Sequence, residues 1–187
     1  AEQIAPEIEW REGVAESLPF PDGSFDVVVS QFGLMFFNDR HQALREMRRV
    51  LVPWGRLAVA IFDVLDSMPA YASEVALLER TAGHRAAEAL RAPFVLGRRK
   101  ELTALFSQAG LASVEIDTQA GTARFPSIRA MVEADLRGWL PVMGVILGEE
   151  QIGHILEKAE QSLSSYATAD GRVEFHLSAH LVTADKA

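Results

Sequence analysis

The feature that most constrains this chain is a strand, a helix and a second strand following one another without a gap. FDVVVSQF, residues 25–32, sets three valines behind Asp26, a β-branched run apolar on both faces, as expected of a strand buried between two layers of helices. It is introduced by LPFPDGS, where Pro21, Asp22 and Gly23 carry turn chemistry. After Asn38 and Asp39, either able to cap a helix, residues 40–51 place Ala43, Leu44, Met47, Val50 and Leu51 on one face and Arg45, Glu46, Arg48 and Arg49 elsewhere. Pro53 and Gly55 stop that helix, and RLAVAIFD, residues 56–63, reads as a second buried strand. At this length the unit is a βαβ crossover with parallel strands.

The remainder is read from periodicity. Residues 64–98 are an alanine-rich helical stretch, about Ala70 to Leu90, leading into the loop APFVLG, and are expected to form a lid-like insertion over a pocket. Leu102, Leu105, Phe106 and Ala109 return at helical spacing before Gly110, and LASVEIDTQ follows as a strand. Ser127 is placed to cap a helix carrying Ile128, Met131, Val132, Leu136 and Trp139 or Leu140, and another helix spans about Glu149 to Tyr166. VEFHLSAHLVT, residues 173–183, alternates as a half-buried strand antiparallel to a neighbour, with Glu174, His176, Ser178 and His180 on its polar side.

Composition narrows the function classes. Among 187 residues the charge balance is −8, which opposes a phosphate backbone, so nucleic-acid binding is not expected. The chain has no cysteine, which excludes disulfides, thiolate zinc ligation and a cysteine nucleophile. No apolar stretch is long enough to span a membrane, and a cytoplasmic address is the expectation. Neither a P-loop nor a GxSxG turn is present, which removes support for phosphate and acyl chemistry.

GVAESLPFPDGSFDVVVSQFGLMFF, then the capped helix, LVPWGRLAVAIF and KELTALFSQAGLASVEI, together resemble the class I S-adenosylmethionine-dependent methyltransferases, in particular the small-molecule branch that includes the ubiquinone and menaquinone biosynthesis enzymes. The succession runs from about Ile8 to Thr183. The resemblance implies an α/β fold, a three-layer Rossmann-like sheet, mostly parallel with an antiparallel C-terminal strand, in one methyltransferase-like domain over residues 1–187. It implies S-adenosylmethionine as cofactor and in-line transfer of its methyl group to a small organic acceptor.

The same resemblance assigns candidate residues. Segments after the third strand flank the adenine, which points to Val14, Ala15 and Glu16. Val14 stands where the family has an acid, and Glu16 is the substitute. The segment after the fourth strand lines the methionine end, which points to Ser30, Gln31 and Phe32. Met35, Phe36, Tyr71, Arg91, Phe94 and Trp139, with Met68 beside them, are the candidates for an apolar acceptor pocket with one cationic corner. The alternative for each aromatic is ordinary core packing, for Arg91 a snorkelling position, and for Glu16 a solvated loop.

A proton must leave many methyl acceptors, so the histidines are candidates for a base. His41 opens the first amphipathic helix and His84 lies in the lid-like stretch; a surface position is the alternative for both. His176 and His180 are four apart, but on an alternating strand that spacing does not gather ligands, and no metal is expected.

The thirteen glycines include no pair at Gly-x-Gly spacing, so the family's glycine-rich cofactor turn is not found. AEQIAPEIEW opens as though a helix were ending and a strand beginning. The expectation is therefore an N-terminally truncated form of a longer parent enzyme, short of roughly 60 to 80 residues, binding the cofactor poorly on its own. Loss of a central strand would leave Val27 to Ser30 at an open edge, which a second copy of the chain or the chain's own N-terminal segment is expected to cover, with a homodimer as the partner state. A degenerate, non-catalytic module that keeps the pocket and dimerises is the second reading, and a nicotinamide-dependent reductase is the weaker enzyme alternative.

Overall fold

The structure, a computed structural model, describes residues 7–187. The helix end expected over residues 1–6 lies outside the described residues, and residues 7–10 form no strand. Among the described residues the sheet has four strands in the order β1-β2-β4-β3: β1 (Phe25–Gln31), β2 (Leu51–Phe62), β3 (Ala112–Phe125) and β4 (Val173–Asp185). β1 and β2 are parallel neighbours, with Val28 opposite Leu57 and Ser30 opposite Val59. β4 runs antiparallel to both β2 and β3. The α/β layering and the antiparallel final strand are thus present, on a sheet of mixed direction.

Helix α1 (Arg40–Val50) joins the parallel pair, and its cap is Asp39, whose carboxylate accepts the Gln42 N–H at 2.9 Å. Leu51 belongs to β2 instead of the helix face. Phe25 faces Leu51 while Val27 already faces Arg56, so the chain between them loops out of the ladder. Trp54 sits in that loop at φ 66°, and a Cβ on Gly55 would come within 2.9 Å of the Val52 carbonyl oxygen.

Two hydrophobic cores form on the sheet. The first packs Leu44 and Met47 of α1 and Leu102 and Phe106 of α4 (Arg99–Gln108) against Leu57, Val59 and Ile61 of β2. The second lies under α2 (Pro69–Thr81), α3 (His84–Arg91), α5 (Ile128–Ala134) and α7 (Glu149–Ser162), with Val173 and Phe175 as its floor. The single helical stretch expected from Ala70 to Leu90 is two helices, because Gly83 takes φ 86° between them. α5 continues through a π-helical turn, Asp135–Trp139, into the short α6 (Leu140–Val142).

Two expectations about burial are corrected. In β4, Ser178 and His180 are buried, His180 at 2% exposure, while Leu181 is exposed. Successive side chains on a strand point to opposite faces, and β4 serves one core with Val173 and Phe175 and the other with Val182 and Ala184. The covered face therefore changes partway along the strand, which a single alternation does not anticipate. In β1, expected to be buried on both faces, Val27 is 56% and Val29 69% exposed. Val28 packs on the α1 side, and β1 is an edge strand of the sheet.

Candidate functional site

The parallel strands end side by side, and the chain turns sharply there. Phe32 follows β1 at φ 51° while its N–H still donates to the Ala60 carbonyl at 2.9 Å. A left-handed conformation at a phenylalanine costs on the order of 1–3 kcal/mol. Here it accompanies a stacked contact between Phe32 and Phe62, the last residue of β2, with ring centroids 4.4 Å apart. The turn Leu34–Phe36 follows, and Phe36 meets Trp139 of the π-helical turn at 5.2 Å. Phe94 touches both Phe62 and Tyr71, at 5.5 and 5.4 Å.

These six aromatic rings border a cavity of about 260 Å³, completed by Leu90, Pro93, Leu177 and one carboxyl, Asp135. Trp139 donates its indole N–H to the Ala89 carbonyl at 2.8 Å, which fixes its ring as a wall. Burial pushes the Tyr71 hydroxyl well above its ordinary range, helped by the charges of Asp135 and Glu74. Burial also pushes the Asp135 carboxyl up to about 7, against the opposing effect of Glu74. Glu74 lies behind it on α2, fully buried, and its carboxyl is raised well above normal, by burial first and then by the adjacent Asp135 carboxyl.

Of the residues expected to form an acceptor pocket, Phe36, Tyr71, Phe94 and Trp139 meet at this cavity, as does Phe32, expected at the cofactor. Met35 and Met68 are buried in the packing instead. Arg91 is not among the lining residues and pairs with Glu88, so the corner expected to be cationic is acidic. Asp135 and Glu74 escaped the sequence reading, although each falls on an apolar stripe: Asp135 between Met131 and Leu136, Glu74 between Tyr71 and Leu78. An acid on the buried face of an amphipathic helix is the signal that finds them.

Neither candidate base reaches the cavity. His41 lines a separate open cleft with Leu96 and Gln108, and His84 is exposed, its Nδ1 3.2 Å from Glu79. His180 is instead the centre of a buried polar knot. Its Nε2 donates to the Gly97 carbonyl at 2.8 Å and lies 3.2 Å from Asp63, while Thr118 Oγ1 is 2.9 Å from Nδ1. Burial pushes the Asp63 carboxyl up, but hydrogen bonds from the Val64 N–H and the Ser178 hydroxyl, with the His180 ring, outweigh it and hold that carboxyl below its usual range. Among the described residues no group of three potential ligands could hold a metal ion.

The residues expected at a cofactor divide. Val14, Ala15 and Ser30 line a second cavity, also about 260 Å³, against Val28 and Phe37. Gln31 is exposed and does not line it. Glu16 is committed elsewhere: its carboxylate accepts the Asp39 N–H at 3.1 Å, which holds it below the usual carboxylate range. Glu46 and Arg49 tie the same loop down, Glu46 accepting the Leu18 N–H and Arg49 donating to the Leu18 and Phe20 carbonyls. Val14, Ala15 and Ser30 thus share one cavity wall, and Glu16 does not extend it.

Sheet and crossover give a Rossmann-like α/β fold, and comparison with known proteins finds methyltransferases among those the chain resembles. Residues 1–59 match a methyltransferase domain family. Over 56 residues the chain is 58% identical to the ubiquinone/menaquinone biosynthesis C-methyltransferase UbiE of Hahella chejuensis, and over 60 residues 46% identical to that of an Enterobacter species. These matches take in 30% and 32% of this chain but only 22% and 24% of those relatives, so the chain matches about a quarter of their length. In fold it is similar to the YcgJ protein of Bacillus subtilis, with a TM-score of 0.58 and 20% identity, covering 99% of this chain and 76% of that one. A methyltransferase of Thermotoga maritima gives 0.52 and 18%, covering 100% and 69%. The chain resembles class I methyltransferases in sequence over its first third and in fold over nearly its whole length.

Proposed function

We propose that this chain carries the acceptor-binding part of an S-adenosylmethionine-dependent methyltransferase acting on a small organic molecule. The observation that carries the reading is the position of the aromatic cavity, at the carboxyl ends of the two parallel strands, where Phe32 and Phe62 form its floor. Ligands of doubly wound sheets sit in that crevice. The donor, when bound, supplies a methyl group already activated by a sulfonium. The protein's share is to desolvate the acceptor between the rings, orient it and deal with its proton.

Radiolabelled S-adenosylmethionine incubated with the chain and a panel of small acceptors is expected to label one chemical class. Trp139→Ala should then raise KM for that acceptor at least about tenfold by removing a wall of the cavity. Absence of label with every acceptor, at S-adenosylmethionine concentrations that calorimetry shows to saturate the chain, overturns the reading. The commitment of Glu16 to α1 favours a second one, a non-catalytic ligand-binding module. Calorimetric silence toward S-adenosylmethionine and S-adenosylhomocysteine, together with acceptor binding, would select it.

A further inference from the structure

The Asp135–Glu74 pair needs a reason to exist. Burying two carboxyls side by side under an apolar helical layer is unfavourable unless something compensates it. Neither Glu74 oxygen finds a hydrogen-bond partner of ordinary geometry in the protein. Asp135 departs from regular α-helix at the first residue of the π-helical turn, an irregularity frequent at working sites. It lines the cavity, and Glu74 stands directly behind it.

The cavity's chemistry is one-sided. The indole N–H of Trp139 is already engaged, which leaves the Tyr71 hydroxyl and the Asp135 carboxyl as the polar side-chain groups of the lining. Aromatic faces attract cations through their quadrupole, and a carboxylate completes such a cage. An anionic ligand would meet the Asp135 carboxyl and the negative ring faces, with the Tyr71 hydroxyl as its one side-chain donor in the lining. A neutral apolar ligand would bring the Asp135 carboxyl no partner beyond Glu74.

We propose that the cavity is an amine site, taking a protonated primary or secondary amine with an apolar body, its nitrogen against Asp135 and its body between Phe36, Phe62, Phe94 and Trp139. This deepens the reading above and depends on it only for the methyl step. Glu74, in its protonated form, donates toward Asp135 and keeps the negative charge on the carboxylate that faces the cavity. Asp135 then takes one proton from the ammonium: an N–H bond breaks, an O–H bond forms, and the electron pair left on nitrogen is what a sulfonium methyl donor alkylates. Asp135 touches the ligand. Glu74 is a positioning residue.

The test is isothermal calorimetry on the whole chain with three probes of one shape: 2-phenylethylamine, 2-phenylethanol and phenylacetate. The amine is expected to bind at least tenfold more tightly than the alcohol, and the acid not at all. Asp135→Asn should bring the amine down to the alcohol's affinity, while Glu74→Gln, which keeps a donor toward Asp135, should retain the preference. Circular dichroism establishes that each variant is folded. If Asp135→Asn does not fold, the ranking of the three probes on the unmodified protein decides alone. Equal binding of amine and alcohol, an Asp135→Asn variant that binds the amine unchanged, or no binding of any probe overturns the proposal. Amine binding without methyl transfer upsets only the proposed function. Methyl transfer confined to phenolic or carbon acceptors, with no preference for the amine, upsets only the amine site.

Discussion

Glu74 and Asp135 set the pH response of the fold as well as the character of the cavity. Both carboxyls are raised on folding, Asp135 to about 7. The folded protein therefore keeps protons that the unfolded chain, with carboxyls near about 4, has released. Stability from this pair is complete below about pH 4 and declines as pH climbs towards about 7. Urea unfolding between about pH 5 and 7 should show stability falling by about 1 to 3 kcal/mol per pH unit, according to whether one or both carboxyls release their protons, and Glu74→Gln should remove the Glu74 share of that slope. Glu46 and Asp63, held low by their hydrogen bonds, act in the opposite sense and only at more acid pH. At this scale the sequence is least legible. Asp135 and His180 read as polar positions on helix and strand, and burial depends on which layer arrives from elsewhere in the chain.

Among the elements, those whose ends carry their own chemistry are the legible ones. Asp39 caps α1 and Ser127 caps α5, its hydroxyl accepting the Ala130 N–H at 3.0 Å. Gly110 closes α4 with φ 79°. Ser127→Ala should cost about 1 kcal/mol, read as a fall in Tm of roughly 2–4 °C for a chain of this size. It should also loosen the helix that presents Asp135. The crossover was readable for the same reason, since valine-rich strands flank a capped amphipathic helix. The π-helical turn was not, because Leu136 and Trp139 satisfy an ordinary helical stripe equally well. The change of covered face along β4 has the same origin: alternation records direction, and says nothing of which side is covered.

Over the whole molecule, the helices cover the sheet unevenly. Val27 and Val29 of the edge strand stand exposed, and Leu181 is exposed on β4. Exposed apolar strand edges promote association. The double substitution Val27→Thr, Val29→Thr should lessen any rise of apparent mass with concentration in light scattering and leave Tm nearly unchanged, because little burial is lost. An unaltered scattering profile would remove this face as the cause of any association. That openness could be anticipated from the valine run only by knowing which layer was to cover it.

Gly97 sits where the buried polar knot of His180 meets the segment that walls the aromatic cavity. A Cβ there would come within 2.1 Å of the Val64 nitrogen, and its carbonyl takes the His180 Nε2 proton. Pro93 and Phe94, four and three residues earlier, are wall residues of the cavity. One side of the chamber is thus riveted to the sheet through a single imidazole. Another side is the widened coil of Asp135–Trp139, pinned in its turn where the Trp139 indole meets the Ala89 carbonyl, so the chamber is braced from two directions.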